Sequence, residues 1–204
     1  MVPPIPYKII LASGSPRRRE LLAGLGLDFE VRLKKDIDES YPESLPVDQV
    51  AACIAHNKAT AYEVTDDEIL ITADTVVVAN LTPYKAVVLG KPKDADDARR
   101  MLRILSDKTH RVITGVCLTT NSNQRLFSVT TEVTFGELSK DEIDYYVDNF
   151  KPFDKAGAYG IQEWIGYIGV TRIRGSYFNV MGLPVQRIWE ELSDMCSQPP
   201  MGDR

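Results

Sequence analysis

Three consecutive arginines, Arg17, Arg18 and Arg19, follow the turn Ser13-Gly14-Ser15-Pro16. Serine is a preferred helix N-cap and proline a preferred first helical residue, so Ser15 and Pro16 open a helix and the arginines crowd its first turn. A helix N-terminus already carries positive partial charge, which makes the position unfavourable for cations. An oxygen-rich anion reverses the balance. Backbone N–H groups, the hydroxyls of Ser13 and Ser15, and the arginine forks can converge on one phosphate. Successive helical residues point about 100° apart, so three arginines cannot all face one ligand. Arg17 and Arg18 are assigned to the anion, and Arg19 is left outside.

Downstream residues offer the rest of a phosphate chemistry. Asp74 sits inside the apolar run ILITADTVVV, where a carboxylate is costly unless it is paired, hydrogen-bonded or bound to metal. It is either a ligand-facing acid or a strand-end group bonding nearby backbone. Lys91, between Gly90 and Pro92, is a compact cation in a constrained turn; it suits a phosphate oxygen or plain solvent equally. Glu39 lies in an acidic loop, and Lys58 lies beside a helix's apolar stripe, from where it reaches inward or snorkels. Gly157, Gly160 and Gln162 form a glycine-rich loop; the glycines allow close backbone approach and the amide of Gln162 can read a base edge. His110 reads as a strand-start residue rather than a general base. The patterns G-x-x-x-x-G-K-[ST] and G-x-G-x-x-G are both absent, which excludes a Walker loop and gives no support to a dinucleotide fold.

The elements that must position these residues follow from apolar spacing. Residues 7–12 read as a buried strand, 16–24 as a helix, 28–33 as a strand, and 36–46 as an acidic, proline-punctuated loop. Residues 47–64 read as a helix and 69–78 as a central, β-branched strand. A turn over 80–86 leads to a short strand at 87–89, and Asp94 caps a helix burying Ala98, Met101, Leu102 and Leu105. Residues 111–120 and 125–135 pair across an Asn-Ser-Asn turn. Ser139 and Glu142 form a capping box for a helix with Ile143, Val147 and Phe150 on one face. Residues 164–170 read as a last strand, 179–184 as a turn, and a final helix turns Val185, Ile188, Trp189 and Leu192 inward. The fold class is α/β with a mixed β-sheet flanked by helices. Residues 1–195 are read as a single domain, with two lobes around a cleft, and 196–204 as a disordered tail.

Composition narrows the function classes. The chain has 204 residues, 44% hydrophobic and 26% charged, with a net charge of -5. An acidic chain is a poor general binder of nucleic acid, because phosphate neutralisation supplies most of that affinity. Three cysteines without a Cys-x-x-Cys pair exclude a disulfide framework or zinc ribbon, and two histidines exclude a histidine-rich metal site. No apolar run reaches membrane-spanning length and no secretory signal pattern opens the chain, so a cytoplasmic enzyme is expected.

Taken in order, the motifs resemble the Maf family of nucleoside triphosphate pyrophosphatases. The resemblance rests on Ser13-Gly14-Ser15-Pro16-Arg17-Arg18, Asp38-Glu39, Lys58-Ala59, Asp74-Thr75-Val76-Val77, Gly90-Lys91-Pro92, Thr109-His110, Thr114-Gly115-Val116, the loop from Lys155 to Gln162, and the stretch from Asn179 to Pro184. It implies hydrolysis of a nucleoside triphosphate to monophosphate and pyrophosphate with a divalent metal, Mg²⁺ or Mn²⁺. It also implies a deep cleft like that of inosine triphosphate pyrophosphatases, and a homodimer. The loop AGAYGIQ looks like the branch acting on dTTP, UTP and modified uridine nucleotides. On that footing Glu39 and Asp74 hold metal, with Asp74 as ligand, base or both. Arg17, Lys58 and Lys91 offset phosphate charge, Ser13, Ser15 and Arg18 hold the triphosphate, and Thr75 and Gln162 select the nucleotide. Two positions depart from the family pattern: the segment between Val78 and Leu89 is longer, and Glu163 stands where glycine is usual. A non-enzymatic nucleotide-binding regulator of cell division and a sugar-nucleotide transferase are the other classes that fit.

Overall fold

A seven-stranded mixed sheet runs through the computed structural model, which describes residues 5–197. The chain enters at β1 (Lys8–Leu11), whose Ile9, Ile10 and Leu11 are buried. Helix α1 (Pro16–Ala23) starts at the Ser15 N-cap and buries Leu21 and Leu22. Strand β2 (Phe29–Val31) returns parallel to β1. A 3-10 turn at Val47–Gln49 leads into α2 (Val50–Thr60). Strands β3 (Glu68–Thr82) and β4 (Lys85–Leu89) form a hairpin, and α3 (Ala95–Leu105) follows from the Asp94 cap. A second hairpin joins β5 (Thr109–Thr119) to β6 (Gln124–Phe135). Helix α4 (Lys140–Phe150) begins in the Ser139–Glu142 capping box. After a 3-10 turn at Ala156–Ala158 come α5 (Trp164–Gly169), β7 (Val170–Arg174), α6 (Tyr177–Met181) and α7 (Val185–Ser197).

The strand order is β2-β1-β3-β5-β6-β7, with β4 also paired to β3. Strand β3 forks the sheet. Its residues 70–78 pair with β5 on one side. On the other side β1 takes residues 68–71 and β4 takes 77–82. Between those partners, residues 72–76 carry no strand neighbour on that side. Asp74 lies in the middle of this opening.

Alternate residues of β3 face opposite sides of the sheet. On one side two apolar clusters form: Ile69, Ile71 and Ala73 pack with Leu22, Ile188 and Leu192, while Val77 and Ala79 pack with Leu102, Leu105, Tyr146 and Val147. On the other, Leu70, Val76 and Val78 lie under α2 with Ala51, Ile54, Ala55 and Ala59. Helix α2 lies so close that a Cβ on Gly115 of β5 would stand 2.3 Å from the Ala51 carbonyl carbon. Glycine at 115 is what lets α2, and Lys58 with it, come down onto the sheet.

Several boundaries differ from those the sequence predicts. The helix expected over 47–64 is a 3-10 turn followed by α2, which ends at Thr60. Beyond it Tyr62 leaves the helical path, and its hydroxyl accepts from the Lys34 N–H at 3.0 Å. The turn expected over 80–86 narrows to Pro83 and Tyr84, because β3 runs on to Thr82. Residues 164–169 form helix α5 instead of a strand; the buried positions are Ile165 and Gly169, four apart, which is one helical face. The turn expected over 179–184 is mostly the end of α6, which Ser176 caps and Gly182 terminates with φ 116°. On α4, Tyr146 takes the core place expected for Phe150, which is exposed. Of the tail expected from Cys196, Cys196 and Ser197 close α7, and 198–204 lie outside the described residues.

Candidate active site

The opening in β3 is filled by a side chain. Arg18, on α1, donates from Nη1 to the Ala73 carbonyl at 2.8 Å, from Nε to the Gly182 carbonyl at 2.8 Å, and from Nη2 to Thr75 Oγ1 at 3.1 Å. Burial pulls this guanidinium below its ordinary pKa, and the nearby Asp74 opposes that shift. Thr75 Oγ1 lies 2.9 Å from Thr114 Oγ1, and Thr114 donates to the Asn179 carbonyl at 3.1 Å. The Asn179 amide then bonds the Val112 carbonyl and Thr131 Oγ1. This polar chain separates the two apolar clusters. It also commits most of Thr75's hydroxyl and three of the five N–H groups of Arg18 to the protein.

A cavity of about 550 Å³ opens in front of that chain. Six cationic side chains and four carboxylates line it, so its wall is net positive by two within a chain of net charge -5. Every one of Ser13, Ser15, Arg17, Arg18, Glu39, Lys58, Asp74, Thr75, Lys91 and Gln162 lies on it. The sequence therefore identified one site, although the residues span much of the chain.

At one end is the Ser13–Arg17 turn. Ser15 Oγ accepts from the Arg18 N–H at 3.4 Å and Ser13 Oγ from the Ser15 N–H at 3.3 Å. Both hydroxyl hydrogens are left to donate. Arg17 reaches Asp154 Oδ2 at 2.9 Å, and Arg19 is exposed and lies off the cavity. Lys91 is exposed on the cavity wall and has no ion pair among the described residues. Its turn is tied to the glycine-rich loop by the Gly157 N–H, which donates to the Gly90 carbonyl at 3.0 Å. Gly157 adopts φ 68° with Val77 Cγ2 2.8 Å from where a Cβ would be, so both backbone and space call for glycine.

In the middle, Lys58 Nζ lies 2.8 Å from Asp74 Oδ1 and 2.9 Å from Glu39 Oε1. Helix α2 supplies the lysine, β3 the aspartate, and the segment after β2 the glutamate. Burial raises the Glu39 carboxyl, but the Lys58 ammonium outweighs it and holds the group below its ordinary value. The end of α2 pins the Glu39 segment further: Asn57 donates to the Ser40 carbonyl at 3.1 Å and Lys34 Nζ to the Ala61 carbonyl at 2.6 Å.

Asp154 and Lys155 are the site residues that the motif reading passed over. Lys155 is buried, lines the cavity, and pairs with Asp154 at 2.8 Å and Glu163 at 2.9 Å. Burial works against ionising Asp154, yet hydrogen bonds from Lys155 and Arg17 bring its carboxyl down to about 2. A signal was present: Lys155 stands just before a glycine-rich turn, as Lys91 stands just after a glycine. His110 is buried away from the cavity wall, with Nε2 2.8 Å from the Tyr159 hydroxyl, and burial lowers its pKa to about 4. It is a neutral core imidazole, consistent with its exclusion as a base.

The donor set accommodates a divalent cation. Glu39 and Asp74 approach one point, marked by Lys58 Nζ. Among the described residues no cluster of three His, Cys, Asp or Glu forms a complete protein cage. Two carboxylates with the remaining positions left to phosphate and water is the arrangement Mg²⁺ favours.

Known proteins share this layout of sequence. A dTTP/UTP pyrophosphatase of Phocaeicola vulgatus is 60% identical over 191 residues, covering 93% of this chain and 96% of that one. Proteins of the same name from Parabacteroides distasonis and Porphyromonas gingivalis are 56% and 50% identical over 188 and 192 residues, and cover 91% and 92% of the chain. Among solved structures, the Ham1 protein of Staphylococcus aureus matches with a TM-score of 0.47 at 15% identity, covering 92% of this chain and 99% of that one; a likeness of that size carries no weight. A family model described as Maf-like protein matches residues 8–195, which takes in every residue named on the cavity wall. This chain belongs to the Maf-like protein family.

Proposed function

We propose that the protein hydrolyses dTTP and UTP, and related uridine nucleotides, to the nucleoside monophosphate and pyrophosphate. One observation carries the reading: two carboxylates and a lysine meet at 2.8–2.9 Å in a cation-lined cavity that ends in an amide. The names of the close relatives support the same substrates.

The triphosphate lies against the Ser13 and Ser15 hydroxyls, Arg17 and Lys91, whose charges offset those of the phosphates and of the departing pyrophosphate. Asp74 orients a water and takes its proton. The water oxygen bonds to the α-phosphorus, the bond from that phosphorus to the pyrophosphate oxygen breaks, and the proton stays on the Asp74 carboxyl. Lys58 holds Asp74 and Glu39 in place. When Mg²⁺ or Mn²⁺ is bound, Glu39 and Asp74 hold it, and it supplies neutralising charge to the phosphate oxygens. Gln162, on the wall and without a hydrogen-bond partner among the described residues, meets the pyrimidine edge. Thr75 acts through Arg18, because its hydroxyl is engaged there.

The same proposal extends to setting. Cys53, Cys117 and Cys196 are free thiols, which suits a reducing cytoplasm. Exposed Tyr167, Ile168 and Ile173, on and beside the edge strand β7, offer a surface for a second copy.

Pyrophosphate release from a nucleotide panel with Mg²⁺ or Mn²⁺ is the test. We expect dTTP and UTP to lead, and Asp74→Asn to lower kcat by roughly 10²–10⁴-fold with the melting temperature little changed. Full turnover in Asp74→Asn sinks the assigned role. Tight nucleotide binding without pyrophosphate release favours a binding regulator instead.

A further inference from the structure

Gln162 is held from behind. The Gly160 N–H donates to the Tyr146 hydroxyl at 3.1 Å, and that hydroxyl donates to Glu163 Oε2. Glu163 Oε1 takes Lys155 Nζ at 2.9 Å, and the Glu163 N–H donates back to the Gly160 carbonyl at 3.0 Å. The two residues on either side of Gln162 in this ring, Gly160 and Lys155, line the cavity; Tyr146 and Glu163 do not.

The fit is close. A Cβ on Gly160 would stand 2.9 Å from Glu163 Cδ and 3.0 Å from Lys155 Cε. Tyr146 is fully buried on α4, and its ring stacks on Phe150 at 5.1 Å. Glu163 is the N-cap of α5, yet its carboxylate makes no cap bond. An N-cap side chain normally satisfies its own helix. Here it is turned to Tyr146 and Lys155 instead.

We propose that Tyr146 and Glu163 are positioning residues that determine base specificity, by clamping Gly160 and Lys155 so that Gln162 presents its amide in one order. The proposal rests on the pyrimidine-triphosphate reading above. An amide carries a donor and an acceptor side by side. Uracil offers an N–H beside a carbonyl, and cytosine offers a ring nitrogen beside an amino group. A rotated amide matches either, so discrimination needs a fixed frame beneath it.

Tyr146→Phe tests this with the core volume retained, and Glu163→Gln is a second arm that removes the charge Lys155 answers. The readouts are kcat and KM for UTP and CTP, equilibrium binding of non-hydrolysable UTP and CTP analogues, and inhibition by inorganic tripolyphosphate, which has no base. The expected result is a UTP KM raised about tenfold, the size of one buried N–H left unpaired, with kcat within about twofold. The UTP-to-CTP preference falls and tripolyphosphate inhibition is unchanged. Unaltered preference in both variants overturns the proposal. So does an equal loss for UTP, CTP and tripolyphosphate, which is general loosening. Wild-type protein that binds the analogues but releases no pyrophosphate overturns hydrolysis alone, and the analogue binding ratio then decides the clamp.

Discussion

Lys58 neutralises two carboxylates with one ammonium, and Glu39 is held ionised because of it. The arginine run shows the same economy of position. Arg17 bridges to Asp154, Arg18 fills the gap in the sheet, and Arg19 stays in solvent. The charge crowding at the start of α1 is thus divided between a carboxylate, three backbone or hydroxyl acceptors, and water. Local grammar made Ser15, Pro16 and the anion site legible in sequence. It could not show that Arg18 spends its donors on Ala73 and Gly182, which lie 55 and 164 residues away. His110 carries a prediction at this scale. Its folded pKa is about 4 against an ordinary 6.5, because burial disfavours the cation. Between those values the unfolded chain binds a proton that the folded chain does not, so stability is lost as pH falls from 6.5 towards 4. Urea unfolding at pH 7 and pH 5 should differ by about 2 kcal/mol from this group, and His110→Gln should flatten the difference. An unchanged pH slope in that variant removes the assignment. Glu68 and Asp154, with carboxyls near 2, act at lower pH and do not confuse the window.

Helix α2 shows how an element sets chemistry. It rests on Gly115 of β5, and that contact fixes the height at which Lys58 meets Asp74. Gly115→Ala would place a methyl 2.3 Å from the α2 backbone, and the helix must move. We expect a loss of about 3 kcal/mol in urea unfolding, from overpacking, and a fall in pyrophosphate release at temperatures where the variant is still folded. A midpoint near wild type would mean the helix yields without cost. Elements of this size were legible where their pattern was long. β3 read as central because ILITADTVVV is apolar and β-branched, and α3 because Ala98, Met101, Leu102 and Leu105 recur at helical spacing. The six residues of α5 were too few: Ile165 and Gly169 define its face, and an apolar run that short fits a strand equally. The Tyr146–Glu163 clamp had no local sign at all, since a tyrosine on α4 meets a glutamate 17 residues on only through packing.

For the whole molecule, sign and shape divide the labour. The chain is acidic, at -5, while the cavity wall is positive by two. The field that draws in a polyanion is therefore local. Raising ionic strength from about 0.05 to about 0.5 M shortens the screening length severalfold, so KM for UTP should rise while kcat changes little. A KM indifferent to salt would count against charge as the recruiting force. The forked strand has a further, mechanical consequence. β3, β5 and β6 each run through both apolar clusters that flank the cavity, joined by continuous ladders. Bending one half away from the other would strain three stiff backbones at once and break ladder bonds worth about 1 kcal/mol each. The two walls thus belong to one beam rather than to a hinged jaw. Opening and closing falls to side chains, and to the segment carrying Glu39, which lies outside the ladder and is pinned to α2 by Lys58 and Asn57.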